Sequence, residues 1–321
     1  MTDRPHILVT RRLPEDVLAR ADASYQATFN EADEGYDTDE LVRLAQGMDG
    51  LLVTITNRMD AETIANLPDS IRVIATFSVG YEHIDLTAAE ARNIVVTNTP
   101  GVLTNATAEI AMLLMLGAAR RAREGAEMIR DDTWTGWTPT QLMGIEVTGK
   151  RLGLVGMGEI GRAVAKRARA FDMDIHYHNR TRLDSELERG AQFHDTLESL
   201  LEQSDFLSLH CPLTPQTHHL MTRERIDLLP DNPVIINTAR GPVIDDEVLI
   251  EALKSGRVAA AGLDVFEGEP NLHEEYRNLS NAYLLPHLGS ATVETRNAMG
   301  FTALDNLDAF FAGKEPPNRI V

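Results

Sequence analysis

Short apolar runs alternate with amphipathic stretches along almost the whole chain. Within the first hundred residues, the runs at 6–10, 51–55, 73–77 and 94–97 predict strands. The stretches between them, 14–23, 39–46, 61–67 and 86–92, carry helical spacing, and Asp37 with Glu40 forms a capping box for the second of these. Strands this continuously apolar, with helices between them, imply a parallel sheet covered on both faces. A second series starts near residue 150, with strands at 152–155, 175–178, 206–210, 234–237, 259–263 and 283–285. Its helices fall at 160–171, 196–203, 222–229 and 246–255. A long helical stretch, 292–311, has no strand to follow. Its simplest placement is back against the first domain. The expected fold class is therefore α/β, with two doubly wound parallel-sheet domains, the first discontinuous and flavodoxin-like. The apolar helix 106–119 becomes one of two crossings between the domains, which leaves a hinge and a cleft.

Composition narrows the partners. The 321 residues are 43% hydrophobic and 25% charged, ordinary for a globular protein of about two domains. The net charge of −19 repels nucleic acid and anionic lipid, so neither is an expected partner. Cys211 is the single cysteine, which excludes an intramolecular disulfide and multi-cysteine zinc patterns. The opening Met-Thr-Asp-Arg-Pro-His lacks the cationic and apolar regions of a signal peptide. The longest apolar run, 110–119, is ten residues, about half a membrane span. A soluble, reduced, cytoplasmic protein is expected.

Chemistry begins directly after the strand 152–155, with Gly156-Met157-Gly158-Glu159-Ile160-Gly161 opening a helix. The first glycine permits the tight turn, the second lets backbone approach a pyrophosphate, and the third lets helix and strand pack closely. Free N–H groups and the helix dipole then hold the anion. Strand and helix on the correct sides make this a dinucleotide site rather than a plain turn. The Rossmann-type dinucleotide-binding domain is thus assigned to 101–289, and the substrate-binding domain to 1–100 with 290–321. Eighteen residues past Gly161 come Asn179, Arg180, Thr181 and Arg182. An NAD-type site places an acid there for the ribose 2′-hydroxyl, whereas two arginines suit a 2′-phosphate. NADP(H) is the expected cofactor, with NAD(H) as the alternative.

Ligands of open α/β sheets bind beyond the carboxyl ends of the strands. On that edge the third expected strand of the second series is followed by Cys211-Pro212 and the fourth by Asn237-Thr238-Ala239-Arg240-Gly241. The fifth leads into Asp264 through Pro270, and the sixth into Pro286-His287-Leu288-Gly289. Arg240, Glu269 and His287 suit hydride transfer to a 2-keto acid. A planar guanidinium grips the carboxylate and polarises the carbonyl. A histidine gives the proton to the developing alkoxide, and a carboxylate fixes its ring. Each residue alone reads as a surface or core group; jointly on one edge they read as catalytic. The other histidines show no metal-ligand spacing: His218 and His219 would not face one site on a regular element, and no metal is expected.

These stretches resemble the D-isomer-specific 2-hydroxyacid dehydrogenases. The resemblance is carried by SVGYEHIDL from Ser78, TAEIAMLLML, GMGEIGRAVA, LHCPLTPQTHHL, INTARGPVIDDEVL, AGLDVFEGEP and LLPHLGSAT, in order over essentially the whole chain. It implies a catalytic trio of Arg240, Glu269 and His287, and a substrate carboxylate held by the backbone of Val79 and Gly80. It further implies that Thr107, Asp264 and Gly289 touch the nicotinamide half of the cofactor. Cys211, Pro212, Thr217, Thr238 and Ala239 complete the expected cofactor contacts. NRTR at 179–182 and WTGW at 134–137 look like the glyoxylate/hydroxypyruvate reductases of the family. There a tryptophan matching Trp137 reaches the partner's substrate site in a homodimer; packing of an interface is the other reading of Trp137. The substrate implied is a small 2-keto or 2-hydroxy acid. Two alternatives stay open: another D-2-hydroxyacid dehydrogenase using NADH, and a co-repressor-like scaffold that senses NAD(P)H without turnover.

Overall fold

The computed structural model describes residues 4–321. They form two compact units, one running up to Leu103 and resuming at Ala291–Val321, the other Thr104–Ser290. The first unit opens β1 (His6–Val9), α1 (Glu15–Ser24), β2 (Gln26–Phe29), α2 (Thr38–Leu44), β3 (Gly50–Val53), α3 (Ala61–Asn66), β4 (Val73–Thr76), α4 (Leu86–Ala91) and β5 (Val95–Thr97). Its five strands are all parallel, in the order β2-β1-β3-β4-β5. Helix starts follow local chemistry: Asp37, Asp60 and Asp85 each accept a backbone N–H from the first turn of α2, α3 and α4.

The second unit contains α5 (Thr104–Ala119), α6 (Ala122–Arg130), β6 (Arg151–Val155), α7 (Glu159–Ala168), β7 (Asp174–His178), α8 (Ser185–Glu188), β8 (Gln192–Phe193) and α9 (Leu197–Leu201). It continues through β9 (Phe206–Leu209), α10 (Arg223–Asp227), β10 (Val234–Asn237), α11 (Asp246–Ser255), β11 (Ala260–Leu263) and β12 (Ala282–Leu284). The seven-stranded sheet runs β12-β11-β10-β9-β6-β7-β8. Strand order reverses between β6 and β9, which makes a switch point at their carboxyl ends. The last helix, α12 (Val293–Phe311), belongs to the first unit and packs on α1 and β4.

Both cores show the period of two. In the first unit Ile7, Val9 and Ala75 face α1 and α12, while Leu8, Leu51 and Ile74 face α2, α3 and α4. In the second, Leu152, Leu154 and Ile236 meet α5 and α7, and Leu207, Leu209 and Ile235 meet α9 to α11. Each fully buried leucine or isoleucine contributes about 1.5–3 kcal/mol. The strands β2 and β8 and the helices α6 and α8 go beyond the pattern read from the chain. As a result, Cys211-Pro212 follows the fourth strand of the second sheet, not the third, because β8 intervenes. The helix expected over 160–171 ends at Ala168 and closes with a 3₁₀ turn at Arg169–Phe171. Among the described residues no helix is long and apolar enough to cross a membrane.

Candidate active site

The glycine loop lies at the switch point of the second sheet. Gly156 adopts φ +92°, and a Cβ there would stand 2.9 Å from the Cys211 N and His210 C of the strand β9 loop. A Cβ on Gly161 would approach Gly156 O to 2.4 Å, so the turn closes only without side chains at these positions. Gly158, in contrast, has nothing within 4 Å of its Cβ position and stands as the N-cap of α7 with no side-chain cap. Its open face and the uncapped first turn, Glu159 and Ile160 included, fit a pyrophosphate. A dinucleotide therefore fits the residues present.

At the end of β7, Asn179 Oδ1 accepts from Met157 N at 2.6 Å, tying the turn to the glycine loop. Arg180 and Thr181 are exposed. Arg182 is exposed as well, and one edge of its guanidinium is held by Glu188: Nε donates to Oε1 at 2.8 Å and Nη2 to Oε2 at 3.2 Å. Thr217 Oγ1 donates to Pro212 O at 2.6 Å and closes the loop after β9 on itself. Cys211 is half-buried, and burial pushes its thiol up to about 11.

The loops after β10, β11 and β12 carry the trio. Buried Asn237 shapes the first loop, donating from Nδ2 to Arg240 O at 2.9 Å and accepting from Ala239 N at 2.9 Å. Arg240 Nη1 donates to Ala239 O at 2.7 Å, and Thr238 Oγ1 stands 3.5 Å from His210 Nδ1. Asp264, 1% exposed, accepts from Leu288 N at 2.6 Å and from Gly289 N at 2.7 Å. It thereby hangs the histidine loop from β11, and burial raises its pKa. Thr107 Oγ1 on α5 donates to Gly289 O at 3.1 Å. His287 takes a left-handed φ of 56°, and its Nδ1 lies 2.8 Å from Glu269 Oε2. Glu269 Oε1 accepts from Phe266 N at 2.8 Å. Burial alone would raise the Glu269 pKa. The hydrogen bond and charge of His287, then Phe266 N and the charge of Arg240, outweigh it and hold it below the ordinary carboxylate value. His287, Glu269 and Arg240 thus come together at one edge.

In the first unit, the Val79 and Gly80 carbonyls are held by Asn98 Nδ2 at 2.8 Å and Ser78 Oγ at 2.6 Å. Trp137 stands apart, 78% exposed in the stretch after α6.

His218 and His219 depart from expectation. They lie on a turn, not a regular element, and φ +47° at His219 brings the two rings into a stack with centroids 4.1 Å apart. With Glu267 they offer ligand atoms within 4.8 Å of one another. The group works as a clasp: His219 Nε2 lies 3.2 Å from Glu267 Oε1 and His219 N donates to Pro242 O at 2.7 Å. It joins the loops after β9, β10 and β11. Among the residues given no role from the chain, Asn237 and Glu188 shape the site most; Asn237 lies within the INTARGPVIDDEVL stretch, whereas Glu188 lies in none of the quoted motifs.

A glycine-turn phosphate cradle, with an arginine, a carboxylate and a histidine on the same sheet edge, defines a dinucleotide-binding oxidoreductase. The family model described as "D-isomer specific 2-hydroxyacid dehydrogenase, NAD binding domain" matches residues 112–289. Glycerate dehydrogenase of Hyphomicrobium methylovorum is 46% identical over 311 residues, covering 96% of this chain and 97% of its own. Glyoxylate reductase of Thermococcus litoralis is 42% identical over 322 residues, covering 99% and 97%. Among solved structures, the NADPH-dependent glyoxylate/hydroxypyruvate reductase of Sinorhizobium meliloti, in complex with NADP and malonate, matches with a TM-score of 0.90. It is 34% identical and covers 99% of this chain and 97% of its own. The chain belongs to the D-isomer-specific 2-hydroxyacid dehydrogenase family. It is a 2-hydroxyacid dehydrogenase that uses a nicotinamide dinucleotide.

Proposed function

We propose that the enzyme reduces the small 2-keto acids glyoxylate and hydroxypyruvate to D-2-hydroxy acids, with NADPH preferred over NADH. The observation that carries the reading is the His287–Glu269 pair at 2.8 Å, with the charge of Arg240 acting on the same carboxylate. Because Nδ1 faces Glu269, Nε2 is the ring nitrogen left for substrate. His287 gives its Nε2 proton to the carbonyl oxygen as that oxygen becomes a hydroxyl. Glu269 fixes the ring and opposes its positive charge. Arg240 takes the substrate carboxylate in its fork and polarises the carbonyl. The bound cofactor supplies the hydride that reaches C2. The names of the relatives above support this substrate class. Asn179 in place of an acid, with Arg180 and Thr181 exposed beside it, supports the NADP(H) preference. The same reading includes a homodimer in which Trp137 serves the substrate site of the other copy.

The test is a matrix of initial rates, NADPH and NADH against glyoxylate, hydroxypyruvate, pyruvate and a bulkier keto acid. Fast NADPH oxidation with the first two substrates is expected. Faster NADH oxidation overturns the cofactor preference, and cofactor binding without turnover of any substrate overturns the enzymatic role of the trio.

A further inference from the structure

We propose that Glu188 is a specificity-determining residue: its buried carboxylate cancels the charge of Arg182 and so weakens the pull of the β7 turn on a 2′-phosphate. The proposal rests on the reading that this turn carries the NADP(H) preference. Glu188 closes α8 and is 6% exposed. It accepts from Tyr177 Oη at 2.6 Å as well as from Nε and Nη2 of Arg182 at 2.8 and 3.2 Å. Tyr177 is fully buried, and its Oη accepts from Leu183 N at 3.1 Å, which fixes the carboxylate from the inside. The Arg182 guanidinium lies over the Phe193 ring at 5.7 Å. The arginine is therefore anchored on two sides, and one whole edge of its fork is engaged.

An ion pair with its carboxylate buried and its guanidinium at the surface, the Arg182 side chain being 64% exposed, still presents a reduced net charge to a third ion. A phosphate meeting the outer edge of Arg182 meets the Glu188 charge behind it. The net attraction of the turn then comes mainly from Arg180, which is exposed. This arrangement leaves room for both cofactor types. A carboxylate that merely staples the turn would affect both alike, whereas one that damps the phosphate site changes their ratio.

The experiment measures binding to the full chain by calorimetry, at low and high salt. The probes are adenosine 2′,5′-bisphosphate, AMP, NADPH and NADH. Glu188→Gln keeps the shape and, through its one carbonyl oxygen, the bonds from Tyr177 Oη and Arg182 Nε, while removing the charge and the bond from Arg182 Nη2. It is expected to raise bisphosphate and NADPH affinity about ten-fold at low salt, with AMP and NADH within about two-fold, and the gain should shrink with salt. Equal changes for all four probes, or weaker bisphosphate binding, would overturn the proposal. Arg182→Met with Glu188→Gln removes the pair as a neutral unit and leaves no unpaired buried charge, so it serves if the single variant fails to fold. Bisphosphate affinity within about two-fold of wild type is expected for the pair; a ten-fold loss means Arg182 acts on phosphate undamped. Arg180→Met separates the two readings. If it leaves the bisphosphate-to-AMP ratio unchanged while Glu188→Gln raises it, Arg180 is not the reader of the 2′-phosphate and the damping stands. If Arg180→Met lowers the ratio and Glu188→Gln leaves it unchanged, the preference stands and the damping falls.

Discussion

The loops that bring Arg240 and Glu269 to one place touch each other at Gly241, and replacing it by alanine tests how closely catalysis depends on that contact. A Cβ at Gly241 would stand 1.9 Å from Phe266 C, 2.1 Å from Phe266 O and 2.3 Å from Glu267 N. All three atoms are backbone, so no change of rotamer relieves the clash. Ordinary contact begins at 3.4 Å, which means one loop must retreat from the other by about 1.5 Å. Arg240 precedes Gly241 and Glu269 follows Glu267 by two residues, so both functional groups move with the loops that carry them. A displacement of about 1 Å costs on the order of 100-fold in rate when groups must align. Overpacking of this kind also destabilises by about 1–3 kcal/mol, or roughly 2–12 °C in Tm for a unit of this size. Gly241→Ala should therefore lower kcat for keto-acid reduction by about 100-fold. Cofactor affinity, held mainly at the glycine loop, should change far less than kcat. Steady-state rates, fluorescence titration of NADPH and a thermal melt read the three quantities. Gly35→Ala, with nothing within 4 Å, is the neutral control. A folded Gly241→Ala enzyme with near-normal kcat would refute the argument.

Other expectations follow from the same geometry. His287→Ala should lower kcat by about 10²–10⁴-fold and leave the NADPH dissociation constant within about two-fold, measured by single-turnover rates and titration. Gly161→Ala should abolish cofactor binding in calorimetry, since its Cβ would press on Gly156 O at 2.4 Å and open the turn. Burial pulls the pKa of His210 down to about 4 from its ordinary 6.5. Between those values the unfolded chain binds the extra proton and the folded one does not. Stability from this group is thus complete above pH 6.5 and is lost as pH falls toward 4, by at most about 3 kcal/mol. Urea melts of wild type and His210→Gln over that range should show a shallower acid decline in the variant. Gly300→Ala should destabilise by about 1–2 kcal/mol in the same melts. Its Cβ would lie 2.4 Å from Val17 Cγ2, which outweighs the better helix propensity of alanine.

Elements covered on both faces could be read directly from the chain. The strands β3, β4, β9 and β10 are buried at every position and appear as mainly apolar runs, with Thr76, Ser208 and Asn237 as their only polar residues. The edge strands divide: β5 and β12 carry apolar residues and could be read, β2 and β8 could not. The strand β2 alternates exposed and half-buried residues, and β8 is two residues long, so neither carries an apolar run. The helix α6 buries no residue and has no core face to mark it. Glycines and the trio follow from motif and spacing because their chemistry depends on residue type. Contacts made by ordinary residues are different. The Glu188 hold on Arg182 spans six residues through a loop, and the His218–His219 stack depends on one left-handed backbone angle. Periodicity carries no trace of either.

The discontinuity of the first unit has a consequence for synthesis. Translation releases the N-terminal strands first, yet α12 and the segment after it that completes their sheet are made only after the whole second unit. Val96 N donates to Val321 O at 3.2 Å, and Ile320 N to Val96 O at 2.8 Å, so residues 320–321 close the open side of β5. The second unit, a continuous segment, has everything it needs some thirty residues earlier. Vectorial folding should therefore mature the middle of the chain before its beginning. Until that segment emerges from the ribosome, β5 offers an unpaired edge to any neighbouring chain, and a chain cut before it exposes that aggregation-prone border permanently.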